Sequence, residues 1–242
     1  MLQDCDTCGR MAEADHRIAN HLAMLGSYVR LRGRNLIRGG MPPDAAEVAL
    51  VLTAIGVQIA AISDLHHALS ADGVGDSPDI AVQLSSVCRA MRSLMPGEID
   101  IVEAIEPGCT LAAALILPVT QLCTEVITNA IKHGRSPDGR ARIRVSCNPV
   151  SFGAVQIQIA DRGRGLPTAD PAPVRQGLGH HLIDGLARQS GAEIVYQSTS
   201  RGLTVRLTIS AAPCAVPARS SSIWHPRNTD DPQESLGIRT AI

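Results

Sequence analysis

From Met11 to about Ile37 the apolar residues Met11, Ile18, Leu22, Leu25, Val29 and Leu36 recur at steps of three, four and seven, interrupted by Asp15 and Arg32. That period predicts a helix packing against other helices. Residues 38–43, RGGMPP, end it with two glycines and two prolines. A second run, from Asp44 to about Ser70, places Val48, Leu52, Ile55, Ile59, Ile62, His66 and Leu69 at alternating steps of four and three, a near-strict heptad seam. Two helices, each about 40 Å long at about 1.5 Å per residue, form an antiparallel hairpin over residues 11–71. A lone hairpin cannot cover both apolar stripes, so two copies closing a four-helix bundle, a homodimer, is the expected solution. The alternative is that the hairpin packs on the downstream part of its own chain.

Residues 70–78, SADGVGDSP, read as a linker by composition. Beyond them the pattern mixes periods: a helix at 80–94, a strand at 99–105, a long helix from about Pro118 to His133, strands at 141–147 and 154–160, a helix at 178–190, and strands at 193–198 and 204–210. Val145, Ile157, Ile159, Val195, Val205, Leu207 and Ile209 supply the strand alternation. The fold class expected for 78–212 is an α+β two-layer sandwich. Residues 213–242, rich in Pro, Ser, Arg and Asp without period, are expected to be a mostly disordered tail.

Composition narrows the setting. A chain of 242 residues suits two small units, and a formal net charge of -1 supplies no basic field for nucleic acid or an anionic membrane. With aromatics at 2%, the core must be aliphatic. Seven cysteines, odd in number and irregularly spaced with no signal peptide before them, point to a reducing cytoplasm. Cys5 and Cys8 form a single CxxC without a second pair, read as part of a disordered N-terminal stretch and not as a metal site. The apolar windows ALVLTAIGVQIAAI and LAAALILPV fall short of the roughly 18–20 residues that cross a bilayer, so a soluble chain without a transmembrane segment is expected.

Chemistry concentrates in LCTEVITNAIKHG, residues 122–134. On a helix, Glu125, Asn129, Lys132 and His133 share one face, while Leu122, Val126, Ile127, Ala130 and Ile131 cover the rest. A carboxylate, a carboxamide and two basic groups on one stripe suit a hydrated divalent ion and the phosphates it carries. IADRGRGLP, residues 159–167, then follows a strand and sets Asp161 before Gly163 and Gly165. A buried aspartate at a strand end can accept a hydrogen bond from an amino group such as that of adenine, and glycines let backbone approach a ligand. Gly177, Leu178 and Gly179 open a helix whose N-terminal amides favour phosphate. Three such pieces in matching strand, loop and helix contexts are a specific signal.

TEVITNAIKHG, DRGRGLP, GLGHHLI and GLTVRLTI resemble the successive N, G1, G2 and G3 boxes of the Bergerat-fold (GHKL) ATP-binding domain shared by histidine kinases, gyrase and Hsp90. DHRIANHL, ahead of the hairpin, resembles the His-Arg-x-x-Asn phosphoacceptor box of the HWE and HisKA_2 type of sensor histidine kinase. The resemblance implies a cytoplasmic, dimeric kinase of a two-component system that uses ATP and Mg2+ to phosphorylate His16 and then passes the group to an aspartate of a response-regulator receiver domain. It implies that Asn129 ligates Mg2+ and Glu125 orients the ion or its water, that Lys132 and His133 contact phosphates, and that Asp161 reads adenine. Gly163, Gly165, Gly177, Leu178, Gly179 and Thr204 would shape the rest of the nucleotide site.

His16 flanks the seam held by Ile18 and Leu22, as an acceptor imidazole should, and Asn20 one turn on could hold one ring nitrogen while the other attacks. Asp15 or Glu13 could take the ring proton, since Arg17 stands where many histidine kinases have an acid. Only eleven residues, 166–176, separate Gly165 from Gly177, so the lid is short, and a phenylalanine-centred box is missing. The pairs His66-His67 and His180-His181 are read as packing or surface histidines. With fifteen residues before His16, the signal is expected from a separate sensor protein. Two other readings stand beside this one: a histidine phosphotransferase relay without ATP use, and an anti-sigma-factor serine kinase, which would not need the hairpin.

Overall fold

The computed structural model describes residues 3–38, 42–71, 78–150, 153–165 and 178–210, with side chains over 18–37, 42–67, 78–150, 153–165 and 183–210. Two long helices, α1 (Gln3–Arg38) and α2 (Ala45–Ala71), lead into α3 (Ile80–Leu94) and β1 (Ile99–Ile105). Then come α4 (Ala113–His133), β2 (Ala141–Val150), β3 (Ala154–Asp161), α5 (Leu178–Ser190), β4 (Glu193–Thr199) and β5 (Gly202–Ser210). The expected tail and the short lid, residues 166–176, lie outside the described residues.

One mixed sheet of order β1-β2-β3-β5-β4 forms the second layer. β1 and β2 run parallel because α4 crosses between them, and the other neighbours pair antiparallel. Alternation does the sorting: Ile143, Val145, Cys147, Ile157, Ile159, Val205, Leu207 and Ile209 are buried on the helical side, while Arg144, Ser146, Gln158 and Arg206 on the other side keep contact with solvent. The core is aliphatic, as the composition requires.

α4 starts five residues earlier than Pro118, which was expected to open it and instead lies inside the helix. As the sixth helical residue, Pro118 lies past the first turn and leaves the Ala114 carbonyl without its usual i→i−4 donor. Most of α4 is buried, including Thr120, Thr124 and Thr128. Their hydroxyls donate back to the carbonyls of Ile116, Thr120 and Thr124 at 2.7, 2.8 and 2.7 Å, so a column of three threonines sits in the core with its polar groups satisfied.

Three other expectations change. α1 begins at Gln3, so Cys5 and Cys8 lie on helical backbone and not in a disordered stretch; no proline interrupts residues 3–10, and Asp4 and Asp6 favour a helix N-terminus. Two helical stretches, Ala45–His67 and Ala113–His133, are long and apolar enough to cross a membrane, contrary to the window estimate. In α4 that apolarity serves the core, since 83% of the window is buried, against 33% in α2.

The third change concerns the hairpin, which packs on the downstream domain of its own chain. α2 buries Leu50, Val51, Ala54, Val57, Gln58, Ala61 and Leu65 on the side facing α3 and α4. On α1 the inward positions are Met24, Tyr28 and Arg32, not the expected seam. Ile18, Leu22 and Val29 remain 41%, 57% and 39% exposed, with Leu52 and Ile59 of α2 at 62% and 52%. His66 meets His21 across the hairpin, Nε2 to Nδ1 at 3.2 Å, as a packing histidine should.

Candidate functional site

The four residues of the polar stripe fall on α4, graded from inside to outside: Glu125 is fully buried, Asn129 and Lys132 are half-buried, and His133 is exposed. The helix ends at Gly134, whose amide donates to the carbonyl of Ala130 at 2.8 Å. This end of α4 meets the loop after β3. Asp161 Oδ1 accepts from the amides of Gly163 at 2.9 Å and Leu203 at 3.1 Å, which fixes the carboxylate. The Gly163 and Leu203 hydrogen bonds both fall on Oδ1, which leaves Oδ2 with its acceptor capacity.

Close backbone approach makes the cradle. A Cβ on Gly134 would stand 2.5 Å from Asp161 Cγ, and one on Gly163 would stand 2.6 Å from Gly134 Cα. Gly202, at φ +136°, would put a Cβ 2.1 Å from the Asp161 carbonyl oxygen. Both sterics and backbone conformation therefore demand glycine at this position. Gly165, at φ +67°, is pressed in the same way against Thr199. Thr204 pairs with Ala160, next to Asp161 on the strand. The aspartate, two of the expected glycines and Thr204 are thus brought together, with Gly134 and Gly202 added as walls.

Glu125 is in different surroundings. Its Oε1 forms an ion pair with Arg32 of α1 at 2.6 Å, both side chains almost wholly buried. Arg32 Nε donates to Tyr28 Oη at 3.2 Å, and the guanidinium stacks 5.4 Å from that ring. Burial pushes the Glu125 carboxyl above the ordinary glutamate range, with Arg32 pulling it back. The Tyr28 phenol is raised for the same reason, burial first and the Glu125 charge second. Gln58 of α2 donates to Thr124 Oγ1 at 3.1 Å, and Glu47 of α2 holds Lys132 Nζ at 2.5 Å.

Fit to the expected ligands follows from these contacts. The Asp161 cradle fits adenine: a fixed acceptor framed by backbone that no Cβ could share. Asn129 is accessible enough to offer its carboxamide oxygen to Mg2+. Glu125, with one oxygen on Arg32 and the other buried without a hydrogen-bond partner, is not open to a hydrated ion while the hairpin is docked. Among the described residues no cluster of three or more His, Cys, Asp or Glu could hold a metal.

His16 and Asp15 lie on the α1 backbone, with side chains outside the described set, and Asn20 is exposed. Sixteen residues of helix separate His16 from Arg32, about 24 Å along the axis. The structure therefore does not bring the expected acceptor to the α4 stripe. Leu178 and Gly179 open α5 as expected, and Gly177 lies outside the described residues. The residues that sequence reasoning missed are Arg32, Tyr28, Glu47 and Gln58. The one signal for them was Arg32, a charge interrupting an otherwise apolar run.

Residues 114–213 match the family model described as histidine kinase-, DNA gyrase B- and HSP90-like ATPase. Two curated relatives align with most of the chain. Blue-light-activated histidine kinase 2 of Erythrobacter litoralis is 24% identical over 206 residues, 83% of this chain and 56% of the relative. Blue-light-activated histidine kinase of Rhizobium johnstonii is 24% identical over 205 residues, 84% of this chain and 53% of the relative. The chain thus spans about half the length of the curated relatives it matches. Among solved structures, the histidine kinase domain of the Erythrobacter litoralis EL346 blue-light activated histidine kinase superposes with a TM-score of 0.59 at 22% identity, over 83% of this chain and 92% of that one. The likeness to that solved domain is one of fold, and the family match is confined to residues 114–213, from α4 to the end of the sheet.

Proposed function

We propose, from the premise that residues 114–213 form an ATPase domain of the histidine kinase, DNA gyrase B and HSP90 family, that the chain is an ATP-dependent histidine kinase of a two-component system. The observation that supports the reading is the Asp161 cradle at the end of α4, a carboxylate pinned by two amides and walled by glycines. Asp161 Oδ2 takes the adenine amino group, Lys132 and His133 face the phosphates, and Asn129 holds Mg2+, which when bound draws charge from the phosphates. A neutral His16 ring nitrogen forms the new bond to the γ-phosphorus as ADP leaves, and the proton on that nitrogen passes to Asp15 or Glu13. Phosphohistidine then gives its phosphoryl group to an aspartate of a receiver domain.

Two copies acting together fit the exposed stripe of Ile18, Leu22, Val29, Leu52 and Ile59, which a second hairpin would cover in a four-helix bundle. The direct test is incubation with radiolabelled ATP and Mg2+, comparing the wild type with His16→Ala and Asn129→Ala. Acid-labile label lost in both variants is the expected result. Nucleotide binding without any label turns the reading toward a relay protein, and acid-stable label that persists in His16→Ala ends it.

A further inference from the structure

We propose that the docked hairpin competes with nucleotide for the α4 stripe: Arg32 holds on Glu125 the place of a cation, and Glu47 holds on Lys132 the place of a phosphate oxygen. The inference rests on the reading that this stripe carries Mg2+ and phosphates.

Two ion pairs of opposite polarity join the hairpin to α4, at positions i and i+7 of that helix, about 10 Å apart along its axis. They flank Asn129. In both pairs the α4 partner is a residue that the sequence signature nominates for the nucleotide, and the hairpin partner carries the charge the nucleotide complex would bring. Arg32 comes from the last turns of α1 and Glu47 from the first turn of α2, so both stand near the loop end of the hairpin. Lifting that end frees the whole stripe, while the apolar contacts of α2 through Val57, Ala61 and Leu65 lie farther along.

The contact is also built to part. Besides the two pairs it contains Gln58 on Thr124 and one buried side-chain oxygen, Gln121 Oε1, without a hydrogen bond. Unsatisfied polar atoms lower the stability of an interface relative to a dry apolar one. Its closed form cannot transfer phosphate within one chain, because the His16 backbone lies about 24 Å along α1 from Arg32. Transfer within one chain therefore requires opening, and nucleotide phosphates, by taking Lys132 from Glu47, favour it. The docked hairpin is a brake that the substrate itself releases.

The test is calorimetric binding of a non-hydrolysable ATP analogue with Mg2+ to the full chain, as wild type, Glu47→Gln, Lys132→Met and the double variant. Glu47→Gln is expected to bind about three- to tenfold tighter, the range of a half-exposed ion pair, and the gain should vanish in the Lys132→Met background. In the wild type, nucleotide should speed amide exchange over residues 42–55. Binding by the wild type with no gain in Glu47→Gln, or with slower exchange in that segment, overturns the competition and leaves the ATP reading intact. A wild type that binds no nucleotide removes the ATP reading and the competition with it.

Discussion

The two ends of the α4 stripe are held by different means. At Gly134 the chain is fixed by backbone: glycines in contact, an aspartate pinned by two amides, and no room for a Cβ. At Glu125 it is fixed by a buried charge whose partner belongs to another element, the hairpin. Backbone contacts within one domain cannot be exchanged for a ligand, whereas a side-chain ion pair across an interface can. Under the proposed function the first end is the place of the adenine ring, and the second that of the phosphates and metal, which a releasable contact would let come and go.

The largest expected effect comes from breaking the Glu125 end on one side only. Arg32→Met leaves a buried carboxylate without its cation, and removing one partner of such a pair costs about 3–5 kcal/mol. Replacing both, as Arg32→Met with Glu125→Leu, should return most of that loss, because two apolar groups need no pairing. Urea unfolding of the three variants checks it. A single variant as stable as the wild type would show that the pair is not closed in solution.

Next in size is the backbone end. Gly202→Ala places a Cβ against the Asp161 carbonyl oxygen at a φ that only glycine adopts without strain, for a loss of about 2–4 kcal/mol. Nucleotide affinity should fall with it. Asp161→Asn separates recognition from stability at the same place. The amide keeps an oxygen for Gly163 and Leu203 but turns the ligand-facing atom into a donor that repels the adenine amino group. Unfolding should hardly change, while ATP affinity drops about tenfold or more. Equal losses in both measurements would mean that Asp161 is only a loop anchor.

How far these two ends were legible in the sequence differs for the same physical reason. Asp161, Gly163 and Gly165 could be read because a backbone cradle needs glycine at set places, and the bounds of α3, β1 and α5 followed from the period of apolar positions. The start of α4 was misread at Pro118, since proline is common in a first turn and Ala112 offers no side-chain cap to mark the true one. The hairpin could be read as a hairpin, but not for what it packs against. α1 carries an apolar stripe through Ile18, Leu22 and Val29 and a mixed one through Met24, Tyr28 and Arg32. Periodicity ranks the apolar one as the seam, and the single chain buries the other. What Arg32 and Glu47 touch is set by tertiary pairing across 93 and 85 residues of sequence, which no local pattern encodes.

The smallest expected effect comes from the same polar chemistry placed in water. At the start of β2, Arg142 donates to both oxygens of Asp138 in the preceding turn, at 3.0 and 2.6 Å, and this guanidinium holds the exposed carboxyl below the usual aspartate range. A depressed carboxylate stabilises the fold above its unfolded value, and that contribution is lost as pH falls through the folded value. Asp138→Asn should therefore melt slightly below the wild type near neutrality, with the gap closing as the pH drops through and below the aspartate range. High salt should narrow it too, because both groups face solvent. The Arg32–Glu125 pair, shielded from water, should ignore the same salt. If salt weakened both pairs alike, the hairpin would already be open in solution, and the contrast between a fixed and a releasable end of α4 would have to be drawn elsewhere.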